Sequence, residues 1–146
     1  MHDGASFGGA PFCDDARMDV TTIAALVFVI AALGVIAFQL ALALGAPWGR
    51  YAMGGAFPGR MPPKMRVAAV VQAGLIAVLA IGVLSAAGLL VPELGAAYPW
   101  FVWVAVVVSA IAVVLNAISR SAGERRIWVP VASVLFVSSL IVALGV

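Results

Sequence analysis

Few side chains in this sequence can do chemistry, and those few are amides, hydroxyls and arginines. Gln39, Gln72 and Asn116 are the strongly polar residues inside long apolar stretches, and Ser133 lies at a similar depth in the last one. An amide that faces hydrocarbon without a partner costs several kcal/mol. These four side chains are therefore expected to turn inward, bond one another and form one polar layer. As structural glue, each such bond contributes on the order of 0.6 kcal/mol; as the lining of a cavity open to the cytoplasm, the same groups would meet a ligand.

A second constellation pairs tryptophan with arginine. It comprises Trp48 and Arg50 in the run Ala46-Pro47-Trp48-Gly49-Arg50, and Arg125, Arg126 and Trp128 between Glu124 and Pro130, with Arg120 nearby. A guanidinium binds phosphate bidentately and stacks on aromatic faces. Trp48, Arg50, Arg120, Arg125, Arg126 and Trp128 are thus candidate contacts for a lipid headgroup or a partner's acidic segment. Basic residues that fix membrane orientation leave nearly the same signature. Glu124 reads as neutralising one of the arginines.

Other chemistry lacks candidates. No His, Cys, Asp, Glu or Lys falls within an expected span, and the one histidine is His2. General acid-base, metal, heme and di-iron chemistry have nothing to work with there, so no catalytic residue, cofactor-binding residue or metal ligand is expected, and the chain reads as not an enzyme. A proton-coupled multidrug transporter of the small four-helix type needs an embedded carboxylate and is excluded on the same ground. Cys13, the single cysteine, has no partner thiol.

The elements that must position these groups follow from composition. Of 146 residues, 65% are hydrophobic and 10% charged, with a mean hydropathy of +1.20, far from the quarter or so of charged residues in soluble domains. Lipid must cover most of such a surface. Residues 20–49, 67–92, 94–119 and 127–146 hold no charged side chain. Roughly 20 apolar residues cross a hydrocarbon core as a helix, the form that satisfies its own backbone groups.

The spans are expected at about 21–44, 66–91, 99–119 and 127–144. Pro47, Pro58, Pro62 and Pro63 break the first gap, Pro92 and Pro99 flank the second, and Gly123 lies in the third. Pro130 is expected in the first turn of the last helix, where a missing amide hydrogen costs little. The fold class is all-α, an integral membrane four-helix bundle running up-down-up-down over residues 20–146. Residues 1–19 read as a disordered acidic tail, and Met18 is a natural start. The acidic tail and the long first apolar run argue against a cleaved signal peptide.

Charge sets the orientation. Seven of eight basic residues fall in two gaps, Arg50, Arg60, Lys64 and Arg66 in one and Arg120, Arg125 and Arg126 in the other. Loops rich in Lys and Arg stay in the cytoplasm, which leaves both termini and Glu93 outside. The helices are expected to associate through small residues: Ala37, Ala41 and Gly45 on the first against Ala69, Ala73 and Ala77 on the second, with Gly74 and Gly82 on a further face and Ser139 and Ala143 on the last helix.

Three motifs, the A-P-W-G turn at residues 46–49, the Gly- and Pro-rich basic loop, and the hairpin N-x-x-S-R-S…E-R-R-x-W-x-P from Asn116 to Pro130, carry a resemblance. The chain resembles a set of small four-helix bacterial inner-membrane proteins over residues 20–146. The resemblance implies the same multi-pass topology and adds no reaction. Membrane lipid is the expected partner, with a second copy or a larger membrane complex beside it, and nucleic acid is excluded because the basic residues form no patch. Smallness and apolarity point to a structural or accessory subunit. The alternative is a small oligomeric channel or permease for a neutral or anionic solute.

Overall fold

The computed structural model describes residues 11–145, with side chains from Val20 onward. Five α-helices follow one another: α1 (Pro11–Leu44), α2 (Pro63–Ala86), α3 (Pro92–Ala97), α4 (Phe101–Ala117) and α5 (Ala122–Gly145). Two 3-10 turns, Gly49–Tyr51 and Met53–Gly55, fold the connection between α1 and α2, and no strand occurs among the described residues. Three helical segments, Val20–Leu44, Pro63–Ala86 and Ala122–Gly145, are long and apolar enough to cross a membrane. The 24 residues of α2 reach about 36 Å at 1.5 Å per residue. The 17 of α4 reach only about 26 Å.

Several boundaries differ from expectation. α1 begins at Pro11, ten residues before Thr21, so part of the expected disordered tail is helical; residues 1–10 lie outside the described residues. α2 ends at Ala86, and the stretch before Tyr98 forms the separate short helix α3, with Pro92 at its start. α5 begins at Ala122, which places Pro130 in the helix interior and brings Glu124 inside the helix. Ser121 explains the early start: its Oγ accepts from the Glu124 N–H at 3.2 Å, the bond an N-cap serine makes to the third residue of a helix.

One core is shared by α1, α2, α4 and α5. Phe28 and Ala32 of α1, Val83 of α2, Val102 and Ala105 of α4, and Leu135 and Val142 of α5 are buried together. α1 packs on α2 and α5, and α4 on α5, whereas α2 meets α4 more sparsely. Of the expected small-residue faces, Ala69 and Ala73 are buried but Ala37 is exposed, so α1 presents its Ala25, Phe28, Ala32 and Val35 side instead. Ser139 and Ala143 are buried. Gly74 faces open space, while a Cβ on Gly82 would stand 2.2 Å from the Phe101 ring. The absent side chain at Gly82 thus lets α2 and α4 touch at the end remote from the α1–α2 connection.

Outside this core the helices are apolar. Ile30, Leu33 and Leu44 on α1, Val67 and Leu75 on α2, Leu115 on α4 and Val137 on α5 are all exposed. Such a continuous apolar exterior far exceeds what water-soluble chains present.

Candidate functional site

The helix ends beside residues 45–62 and 118–121 form a clasp, and an internal cavity opens above it. Its foundation is the end of α1. Gly45, at φ +98°, terminates the helix, with Ala46 N–H donating to Ala41 O at 2.9 Å and Gly45 N–H to Leu42 O at 3.0 Å. That pair of bonds is a Schellman cap. Two guanidinium groups complete it: Arg60 Nε donates to Gly45 O at 2.8 Å and Arg66 Nε to Ala43 O at 2.6 Å. Positive charge at a helix C-terminus is favourable, so these two arginines hold the α1–α2 connection against its own helix.

The connection then reaches across to α5. Gly54 N–H donates to Glu124 Oε2 at 2.8 Å, and Ser119 Oγ donates to the same oxygen. Ser121 Oγ donates to Arg50 O at 2.8 Å, and Trp128 Nε1 to Tyr51 O at 2.7 Å. Gly54 is held at φ +68° between Met53 at +52° and Gly55 at +75°. Left-handed backbone at a residue bearing Cβ costs roughly 1–2 kcal/mol, and here that conformation turns the Gly54 amide toward the carboxylate. Glu124 does not neutralise an arginine as expected: it is buried, and its oxygen accepts from neutral donors.

The aromatic residues wall the same region. The Phe38 ring lies between two indoles, stacked with Trp48 at 6.1 Å and edge-on to Trp128 at 4.6 Å. Arg50 places its guanidinium 4.8 Å from the centre of the Tyr51 ring, not over either tryptophan. Arg125 Nη1 donates to the Ser119 carbonyl, while Arg120 and Arg126 are exposed. The six residues expected to meet an anion are thus split, the indoles joined through Phe38 and the arginines facing outward or bonded to backbone.

Above the clasp lies a cavity of about 250 Å³. Its polar lining comes from Gln39 on α1, Gln72 on α2, Ser109 and Asn116 on α4, and Tyr51 and Glu124 beside the clasp. Phe38, Trp128 and the methionines Met53, Met61 and Met65 supply the apolar wall at that end. Gln72, Leu75 and Val108 line the cavity and are also exposed, as is Met53 in the connection, so the cavity reaches the surface between α2 and α4 and beside the clasp. α2 and α4 approach closely at Gly82 and Phe101 and contact each other sparsely overall, and both contribute residues to the cavity lining.

Three of the four residues expected in a polar layer therefore border one space, and the fourth does not. Ser133 lies on the opposite side of α5, in an apolar groove shared with Val20, Ala24 and Val27 of α1. The helical rotation explains the miss: Ala132 and Leu135 of α5 line the cavity, and Ser133 is turned about 100° from Ala132 at 3.6 residues per turn. Nor do the amides bond one another. Asn116 Nδ2 donates to Ala112 O at 2.7 Å within α4. Gln39, 8% exposed, and Ser109, 4% exposed, have no side-chain hydrogen bond among the described residues.

Two lining residues escaped the sequence reading. Ser109 sits amid a run of valines and alanines with nothing to separate it from an ordinary helical serine. Glu124 had a signal, the S-x-x-E pattern from Ser121 that opens helices, which places it inside the last helix. Among the described residues no group of His, Cys, Asp and Glu is arranged to hold a metal ion. Comparison of the chain with protein-family models, with curated proteins and with solved structures gives no match.

Proposed function

We propose that this chain is a multi-pass protein of a bacterial inner membrane that binds a small ligand in its cavity, in the manner of a channel or permease. In this reading α1, α2, α4 and α5 form an up-down-up-down four-helix bundle. Both termini face outward, and the clasp, with seven of the eight basic residues in or beside it, faces the cytoplasm. The apolar exterior and the three segments long enough to span support it.

Gln39 carries the functional part. Its amide is more than nine-tenths buried, lines the cavity and has no hydrogen-bond partner among the described residues, yet unlike the enclosed Ser85 Oγ its polar atoms are open to the cavity. A ligand with hydrogen-bonding groups can pair with it there. The accessory-subunit reading keeps one observation of its own, the exposed Gln72 amide on an otherwise apolar face of α2, which a polar group on a neighbouring helix would satisfy. Purification in mild detergent separates the two. A homogeneous protein that takes up solute in liposomes, and loses uptake in Gln39→Leu at unchanged thermal stability, supports the ligand site. Stoichiometric co-purification of foreign subunits, abolished by Gln72→Leu, would instead make this an accessory protein. Reporter fusions at residue 60 and at the C-terminus test the orientation, and the same side for both would overturn it.

A further inference from the structure

The charge of the cavity narrows the ligand further, on the reading that the cavity is a ligand site. No Lys or Arg lines it, and Glu124 is its one charged lining residue. Four of the described basic side chains have other contacts: Arg60 and Arg66 are bound to the end of α1, Arg125 to the Ser119 carbonyl, and Arg50 to the ring of Tyr51 at the cavity's edge. Glu124 is only 9% exposed. Both of the hydrogen bonds its side chain accepts, from Gly54 N–H and Ser119 Oγ, fall on Oε2, leaving Oε1 without a partner among the described residues. A buried carboxylate with one free oxygen, in a cavity whose lining holds no Lys or Arg, presents negative potential to whatever enters.

The surrounding groups suit a particular kind of cation. Phe38 and Trp128 line the same cavity, with Tyr51, whose ring already carries the Arg50 guanidinium, and aromatic faces attract a cation by about 2 kcal/mol or more once water is removed. The thioethers of Met53, Met61 and Met65 add a polarisable, adaptable wall. Most of the lining is nevertheless apolar, and an alkylated ammonium has little hydration to lose on entering it. We infer that the cavity binds a lipophilic organic cation of the alkylammonium class, with Glu124 as its counter-charge and Phe38 and Trp128 as its aromatic wall. This departs from the neutral or anionic solute that the basic gaps alone suggested, and with Glu124 buried inside α5 the expected lack of a helical carboxylate no longer excludes a small four-helix multidrug transporter. Entry is from the side, between α2 and α4, where an amphiphilic cation partitioned into the bilayer would arrive.

Two probes of one shape test it: benzyltrimethylammonium and neopentylbenzene, which replaces the charged nitrogen by carbon. Each is titrated into the full-length protein in dodecylmaltoside micelles, with tryptophan fluorescence as the readout. The inference expects the cation to bind wild type at least tenfold tighter than its neutral isostere, and Glu124→Gln to remove that preference. Equal binding of both probes by wild type overturns the cation inference while leaving the cavity as a ligand site. Binding of neither probe overturns the inference, and the uptake assay on Gln39→Leu then decides the ligand-site reading separately. A Glu124→Gln protein that retains the preference assigns it to the aromatic wall and overturns the role of the carboxylate. Should that variant not fold, the wild-type comparison of the two probes still decides the charge class.

Discussion

Removing the Glu124 carboxylate should loosen the clasp by a measurable amount. In Glu124→Ala, Gly54 N–H and Ser119 Oγ both lose their acceptor. A hydrogen bond to a charged group contributes roughly 1.5–3 kcal/mol net, and the burial of Glu124 limits screening by water. The two bonds share one oxygen and are not independent, so their sum overstates the loss; about 3 kcal/mol is expected. Glu124→Gln keeps a neutral oxygen acceptor and should cost about 1 kcal/mol. Unfolding in mixed micelles with increasing denaturing detergent, read by tryptophan fluorescence, measures both, because Trp48 and Trp128 flank Phe38 beside the clasp. Trypsin provides a local readout, since cleavage after Arg50 and Arg60 should accelerate as the connection detaches. Unfolding of Glu124→Ala within about 0.5 kcal/mol of wild type, the range of an uninvolved surface change, would show that the carboxylate does not hold the clasp.

Four other outcomes follow from individual contacts. Gly82→Leu should cost about 1–3 kcal/mol, because even its Cβ would stand 2.2 Å from the Phe101 ring and force α2 from α4; the same denaturation series checks it. Gln39→Leu should leave stability unchanged or raise it, since no bond of the described residues is lost, and a large destabilisation would show that the amide is structural after all. Ser85→Ala should gain up to about 1 kcal/mol, because Ser85 Oγ is buried without a partner. Pro130→Ala should add roughly 1–3 kcal/mol by restoring an amide hydrogen for the Arg126 carbonyl inside α5, seen as a higher midpoint of thermal unfolding.

The apolar lengths were legible because hydrocarbon-length runs without charge have few folded alternatives, and their positions agree with the helices to within a few residues, apart from the ends named above. The beginning of α5 was misjudged because charge was taken as the boundary, whereas Ser121 and its capping bond to Glu124 N–H carry the helix past three charged residues. That error concealed the carboxylate. The arginines read as topology signals also have a local task, since Arg60 and Arg66 close the end of α1, a contact that spacing alone does not reveal.

The sequence by itself determined that this chain consists of long apolar helices, where its polar amides sit along them, and how its charge is gathered into two gaps. Those are properties of single segments, fixed by local composition and by the backbone's need for internal hydrogen bonds. Only the tertiary structure decided which faces meet. It brought Gln39, Gln72, Ser109, Asn116 and Glu124 around one cavity, turned Ser133 away from it, and directed the arginines elsewhere. Helix rotation and separation depend on close contacts such as Gly82 against Phe101, made between residues far apart in the chain.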